Sequence, residues 1–338
     1  MPYLRMRDGA HLHVRIIGRG APCVLLHGFG GNSAHWLPLI WPYLHRCQFI
    51  LPDLRGFGRS HAVRYNQPCI LTNYAEDLDD VLDHLGLSKV MLGGISMGAY
   101  TSLQYHRLTG FQRVSRYLHI DQSPQCRNRA DWSYGLFGEQ HEAQVAEFYR
   151  LLEQVAAYDR DQPFRSLPAP LRREFWRLLG EFFAFALHRP YEKHLARQVT
   201  RIEPLVSALM PTENWHAYVE CLQAYLEQDY DMRPSIAQLP VPTTVMVGMR
   251  SEMYPYQGQL FIHDHAPDAR LVRFENSGHA LIYTEPRKFI RELGRFLFPR
   301  SRRASETGDS ETSFVVKGSA ATTNPAARKN VAAGKKIA

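Results

Sequence analysis

Ser96 stands at the centre of Gly94-Ile95-Ser96-Met97-Gly98, and His279 lies far downstream in Ser277-Gly278-His279. A serine hydroxyl is a poor nucleophile at neutral pH. It needs an imidazole to take its proton, and the imidazole needs a carboxylate to hold it in the right tautomer. Ser96 has the local setting for that chemistry. The apolar run Lys89-Val90-Met91-Leu92-Gly93 predicts a strand and residues 97–108 predict a helix, so the serine falls on a sharp strand-to-helix turn. Such a turn strains the backbone at its central residue and lifts the hydroxyl clear of the sheet. Glycines two residues to either side remove side chains that would collide with neighbouring backbone. The helix that begins at Met97 aims unpaired N–H groups at negative charge forming beside the serine. The five letters alone fit any glycine-rich turn; the strand before and the helix after give them chemical meaning.

The elements around this turn alternate. Residues 3–6 and 11–17 read as antiparallel strands joined at Asp8-Gly9. Cys23-Val24-Leu25-Leu26 is a compact apolar strand ending in His27-Gly28-Phe29-Gly30-Gly31, and residues 32–44 predict a short helix. Strand Gln48-Phe49-Ile50-Leu51 runs into Pro52-Asp53, and Leu71, Tyr74, Leu78, Val81, Leu82 and Leu85 mark one face of a helix. After the Ser96 helix, Arg116-Tyr117-Leu118-His119-Ile120 is a strand ending at Asp121. Strands alternating with helices predict a mostly parallel sheet covered on both faces.

From about residue 125 to 238 the pattern turns helical, over 144–158, 171–187, 190–202, 204–210 and 214–230. Pro190 and Pro204 suit the first turn of a helix. This stretch reads as a cap inserted between two strands. Most of its aromatic side chains (Phe175, Trp176, Phe182, Phe183 and Phe185 among them) are expected to pack on the sheet, and some to roof a pocket over Ser96. Strands then resume at 242–248 and 270–274, with helices over 257–265 and 285–298. The expected organisation is thus a core of 1–124 and 239–299, a cap of 125–238, and a disordered basic tail of 300–338.

Composition bounds the classes of function. The 338 residues suffice for one large core with an insertion, and 45% hydrophobic with 22% charged residues is ordinary for a globular chain. No apolar run reaches membrane-spanning length, and the N-terminus lacks a secretion pattern, so a cytoplasmic location is expected. Five scattered cysteines without a C-x-x-C pair fit reduced thiols rather than a disulfide framework or a zinc site. The net charge is +7, but residues 300–338 hold eight basic and three acidic residues, leaving only +2 for the rest. A nucleic-acid partner is therefore not expected, and a tail contact with RNA or anionic membrane is the lesser reading.

Four motifs in order, His27-Gly28-Phe29-Gly30, Asp53 to Ser60, Gly94 to Gly98 and Ser277-Gly278-His279, resemble those of α/β-hydrolase-fold enzymes over residues 3 to about 298. The resemblance implies an eight-stranded, mostly parallel sheet with an inserted helical cap. It implies Ser96 as nucleophile, His279 as base, and the backbone amides of Phe29 and Met97 as the oxyanion hole, with no metal or cofactor. The Asp53–Ser60 motif is expected to order its own loop, with Arg55 pinned by hydrogen bonds. The acid departs from the commonest family pattern, because the usual aspartate position, a few residues after Gly248, falls on Ser251. Two carboxylates stand in: Asp121, favoured because some relatives carry their acid after that strand, and Glu252, which lies one residue out of register. The expected reaction is hydrolysis of a carboxylic ester, lactone or thioester of a small to medium hydrophobic substrate through an acyl-enzyme. C–C bond hydrolysis, acyl transfer or perhydrolysis would use the same groups, and a non-catalytic ligand-binding role would need only the pocket.

Overall fold

In the computed structural model, which describes residues 2–205 and 215–299, the apolar runs become the strands of one sheet. In chain order these are β1 (Tyr3–Arg5), β2 (His11–Gly18), β3 (Ala21–Leu26), β4 (Cys47–Pro52), β5 (Val90–Ile95), β6 (Val114–Ile120), β7 (Thr243–Gly248) and β8 (Ala269–Phe274). Their order across the sheet is β1-β2-β4-β3-β5-β6-β7-β8. Only the β1–β2 and β2–β4 pairs are antiparallel; from β4 to β8 every pair is parallel.

The central strands bury both faces, and period-two alternation sorts their side chains between two cores. Val24, Leu26, Val90 and Leu92 join one apolar cluster, with Leu71, Tyr74 and Leu78 of helix α1 (Ile70–His84) and Leu103 of α2 (Met97–Thr109). Cys23, Leu25, Met91 and Ile95 join the other, with Trp36, Leu39 and Ile40. The segment predicted as one helix over 32–44 is broken into 3-10, α and 3-10 turns at 33–36, 37–40 and 41–43. Pro38 and Pro42 remove the N–H groups that a continuous helix would need.

Between β6 and β7 the named elements of the described residues are all helices: α3 (His141–Val155), α4 (Ala169–Ala186), α5 (Pro190–Thr200) and α6 (Trp215–Glu227) are the long ones. Pro190 occupies the first position of α5, where its missing N–H costs nothing. The predicted helix at 204–210 falls mostly outside the described residues, as does the predicted tail at 300–338. After β7 come α7 (Tyr256–His265), β8 and α8 (Pro286–Leu297). α8 packs Phe289, Leu293, Phe296 and Leu297 into the second core. Each such burial contributes about 2 kcal/mol, far more than a single helix-surface ion pair, so packing rather than propensity holds this helix. Among the described residues, no helix is long and apolar enough to cross a membrane.

Parallel register brings the carboxyl ends of the strands to one edge. Leu26 pairs with Gly94, Ile95 with Ile120, and Ile120 with Met246. One more hydrogen bond beyond the strand ends sets the next residue in each case: Ser96 N–H donates to Ile120 O at 3.0 Å, and Asp121 N–H to Met246 O at 2.9 Å. Residues 153 positions apart, such as Ser96 and Met249, thereby come to a common edge of the sheet through ladder pairing alone.

Candidate active site

The turn at Ser96 is as tight as its glycines demand. Ser96 has φ 53° and ψ −123°, a conformation that L residues adopt rarely and at a cost of about 1–3 kcal/mol. A Cβ at Gly94 would stand 2.3 Å from the Gly98 carbonyl, and one at Gly98 would stand 2.4 Å from the Leu26 oxygen. Neither collision could be relieved by a side-chain rotation, because the obstacles are backbone atoms.

His279 and Asp121 are brought together across 158 residues, with His279 Nδ1 2.7 Å from Asp121 Oδ1. A carboxylate accepts, so Nδ1 is the donor in this contact and Nε2 is the ring nitrogen left for another partner. Asp121 is fully buried and has φ 44°. Besides His279, three groups donate to it: Gly248 N–H at 2.6 Å, Ser251 Oγ at 3.0 Å and Gln259 Nε2 at 3.1 Å. Ser251, at the position expected to hold the acid, thus presents a hydroxyl to a carboxylate from the neighbouring strand. Glu252 is not brought to the imidazole. Its side chain is 45% exposed, and both oxygens lie 2.5 Å from Lys193 Nζ of α5.

The loop after β3 is shaped by His27. Its Nδ1 lies 2.8 Å from Gly28 O, so that nitrogen is the donor, and Nε2 accepts from Leu54 N–H at 3.0 Å. Burial lowers the imidazole to about 4, so it is neutral and structural. Gly31 N–H also donates to Gly28 O, at 3.0 Å, closing a turn in which Gly30 takes φ 70°. Gly28 approaches Ser96 so closely that an added Cβ would stand 3.2 Å from Ser96 Cβ. Met97 directly follows the serine and Phe29 lines the cavities that Ser96 borders; among the described residues, neither of their amides donates to a backbone acceptor outside regular elements. The Phe29 ring packs against Phe57, Phe182 and Tyr218.

The Asp53–Ser60 loop is held both by bonds within itself and by bonds to neighbouring elements. Burial works against the Asp53 carboxylate, but the N–H groups of Arg59 and Ser33 outweigh it and hold the group below its usual range. His13 Nδ1 lies 2.9 Å from the same side chain. Arg55 is 2% exposed and grips Asp77 through two bonds of 2.7 and 2.6 Å, with a third to Asp8 at 2.6 Å. It does not reach the cavity beside Ser96.

That cavity measures about 260 Å³ and is lined by Ser96 and His279 together with Phe29, Phe182, Phe183 and Tyr283 among others. Of the five aromatics singled out in the insertion, Phe182 and Phe183 therefore face it, whereas Phe175, Trp176 and Phe185 are buried in the apolar core. Sequence reasoning missed Ser251 and Gln259 as partners of the acid, and Ile282 and Tyr283, just after His279, as cavity walls. The first two carry a faint signal, since polar residues follow a strand end where a carboxylate was expected. The second two look like ordinary helix residues.

Comparison with known proteins agrees with this fold. The profile for the alpha/beta hydrolase fold matches residues 22–286. A pimeloyl-(acyl-carrier protein) methyl ester esterase of Nitrosomonas europaea is 22% identical over 288 residues, covering 83% of this chain and 97% of its own length. Its counterpart in Aliivibrio salmonicida is 26% identical over 283 residues, covering 83% and 94%. Among solved structures, an esterase from Exiguobacterium antarcticum superposes with a TM-score of 0.67 at 24% identity, over 88% of this chain and 98% of that one. The sheet order, the helical insertion and the profile match over most of the chain lead to one statement: this protein belongs to the alpha/beta hydrolase fold family.

Proposed function

We propose that the protein hydrolyses a carboxylic ester of a small to medium hydrophobic substrate through an acyl-enzyme on Ser96. Lactones and thioesters fall within the same chemistry. The observation that carries this reading is the buried Asp121–His279 pair, whose imidazole lines the cavity that also holds Ser96. In this scheme His279 Nε2 takes the Ser96 proton as Oγ bonds to the carbonyl carbon. The oxygen that gains charge lies against the amides of Phe29 and Met97, donors of a kind worth about 3 kcal/mol each in a transition state. Collapse of the tetrahedral species breaks the bond to the alcohol oxygen, which leaves with the proton from His279. Water then repeats the sequence on the acyl-enzyme and releases the acid. Asp121 holds the tautomer throughout. The naming of its curated relatives as ester hydrolases supports the choice of ester over other acyl bonds.

The test is covalent. A fluorophosphonate probe is expected to label the wild-type chain at Ser96, and Ser96→Ala to abolish both labelling and turnover of 1-naphthyl acetate. Unlabelled, folded wild-type protein that turns over no ester would refute the proposal in favour of a binding role.

A further inference from the structure

Ser96 borders a second cavity, and the two differ in size and in which catalytic group they contain. The outer one, about 260 Å³, includes His279 with Ile282 and Tyr283. The inner one, about 30 Å³, is bounded by Ser96 and Met97 and closed by Leu136, Cys221, Tyr225 and Tyr254; His279 does not line it. Phe29, Phe182 and Met253 line both cavities and form the partition between them. A third space of about 30 Å³, walled by Phe148, Phe175 and Leu179 among others, lies behind Phe182 and Leu222.

This placement bears on the direction in which a substrate lies, given the acyl-enzyme reading above. The departing alcohol oxygen must receive its proton from His279, so the alcohol belongs on the side where that imidazole is exposed. The acyl substituent is held against the opposite side, next to the Met97 amide. A water-sized group needs about 10–15 Å³ of such space, so the inner cavity admits two or three small groups beyond the carbonyl carbon. The outer one is several times larger and walled by aromatic and aliphatic side chains.

We infer that the inner cavity is the acyl pocket and the outer cavity the alcohol pocket. The preferred substrates are then esters of short acids, of two to four carbons, with bulky apolar alcohols, and Phe182 is the specificity-determining residue that sets the acyl limit. This is the reverse of the methyl ester named for the curated relatives, where the alcohol is the small part. Phe182 is suited to that role because its ring meets Phe29 at 5.1 Å and borders all three spaces, so removing it joins the inner cavity to the third.

The experiment measures kcat/KM for the full-length chain on 1-naphthyl acetate, butyrate and octanoate, and on 2-phenylethyl acetate against methyl octanoate. A hydrophobic pocket discriminates by roughly tenfold or more per methylene it cannot take. Naphthyl acetate is therefore expected to exceed the octanoate at least tenfold, and phenylethyl acetate to exceed methyl octanoate at least tenfold. Phe182→Ala is expected to raise the octanoate-to-acetate ratio at least tenfold. Leu222→Ala, which opens the same wall from α6, gives the same direction should the first variant fail to fold. Wild-type enzyme that is labelled by the fluorophosphonate but favours methyl octanoate, or folded variants with an unmoved ratio, would overturn this inference while leaving ester hydrolysis standing. Absence of labelling and turnover would remove the ester reading and this inference with it.

Discussion

Replacing Asp121 by asparagine isolates the role of one negative charge. Asparagine tolerates the left-handed backbone found at this position, φ 44°, so the change keeps the chain path where alanine would add strain. The four donors that converge on Asp121 cannot all be kept. If the amide oxygen faces His279, the NH2 group confronts Gly248 N–H, whose nitrogen lies 2.6 Å from the present carboxylate oxygen. If the amide is flipped, its NH2 faces His279 Nδ1, now 2.7 Å from oxygen, and forces the imidazole into the tautomer that carries its proton on Nε2. That tautomer cannot accept from Ser96. Loss of the orienting carboxylate in this way costs about 10,000-fold in kcat, or about 5 kcal/mol of barrier. The unpaired donor left behind costs a further 1–3 kcal/mol, roughly, in stability. Glu252→Gln removes only a partly exposed ion pair with Lys193, worth about 1 kcal/mol or less, and is expected to change kcat less than threefold. Turnover of 1-naphthyl acetate, with a denaturation curve for each variant, checks both. The reasoning fails if folded Asp121→Asn retains more than a tenth of wild-type kcat, or if Glu252→Gln abolishes turnover.

Three further outcomes follow from the packing around the site. His27 and His119 are both lowered by burial from 6.5 to about 4, so the unfolded chain takes up protons before the native one does. Their contribution is whole above pH 6.5 and lost as pH falls toward 4, on the order of 3 kcal/mol for each. Urea denaturation at pH 7, 6 and 5 is expected to show that loss, with a shallower slope in His119→Gln; identical slopes would refute it. Arg55→Met leaves the buried Asp77 without its two-bond partner, a change expected to cost about 3–5 kcal/mol in stability, read as a lower urea midpoint, with kcat of the folded fraction little changed. Gly94→Ala sets a Cβ against the Gly98 carbonyl, so the serine turn must open, and labelling by the fluorophosphonate is expected to be lost.

How far the sequence could be read depends on how local each determinant is. The strand-to-helix turn at Ser96 was legible because its requirements sit within five residues: a φ of 53° and two close backbone approaches leave only glycine at 94 and 98. The strands were legible because burial on both faces demands apolar runs. The break in the 32–44 segment is also written locally, in Pro38 and Pro42, which lie inside the predicted helix. The carboxylate partner of His279 is a different kind of fact. The sequence around Gly248 tells only that Ser251 stands where an aspartate is usual. Which carboxylate turns toward the imidazole is decided by parallel pairing of β6 with β7, which delivers Gly248 N–H and the Ser251 hydroxyl to Asp121 and leaves Glu252 on the solvent side with Lys193. The aromatic cap residues show the same limit. Phe182 and Phe183 are adjacent in sequence with Phe185 two residues on, all on one helix, yet the first two wall the cavity and Phe185 is buried against Phe137. A helix rotates about 100° per residue, so a cluster of aromatics must spread over several faces. Which face meets the serine is a matter of tertiary packing; at the end of α4, Ala280 N–H donates to Ala186 O at 2.9 Å and ties the last turn of that helix to the histidine loop. That bond, like the contacts of Phe182 with Phe29 and Phe137, joins residues far apart in the chain, which no local pattern encodes.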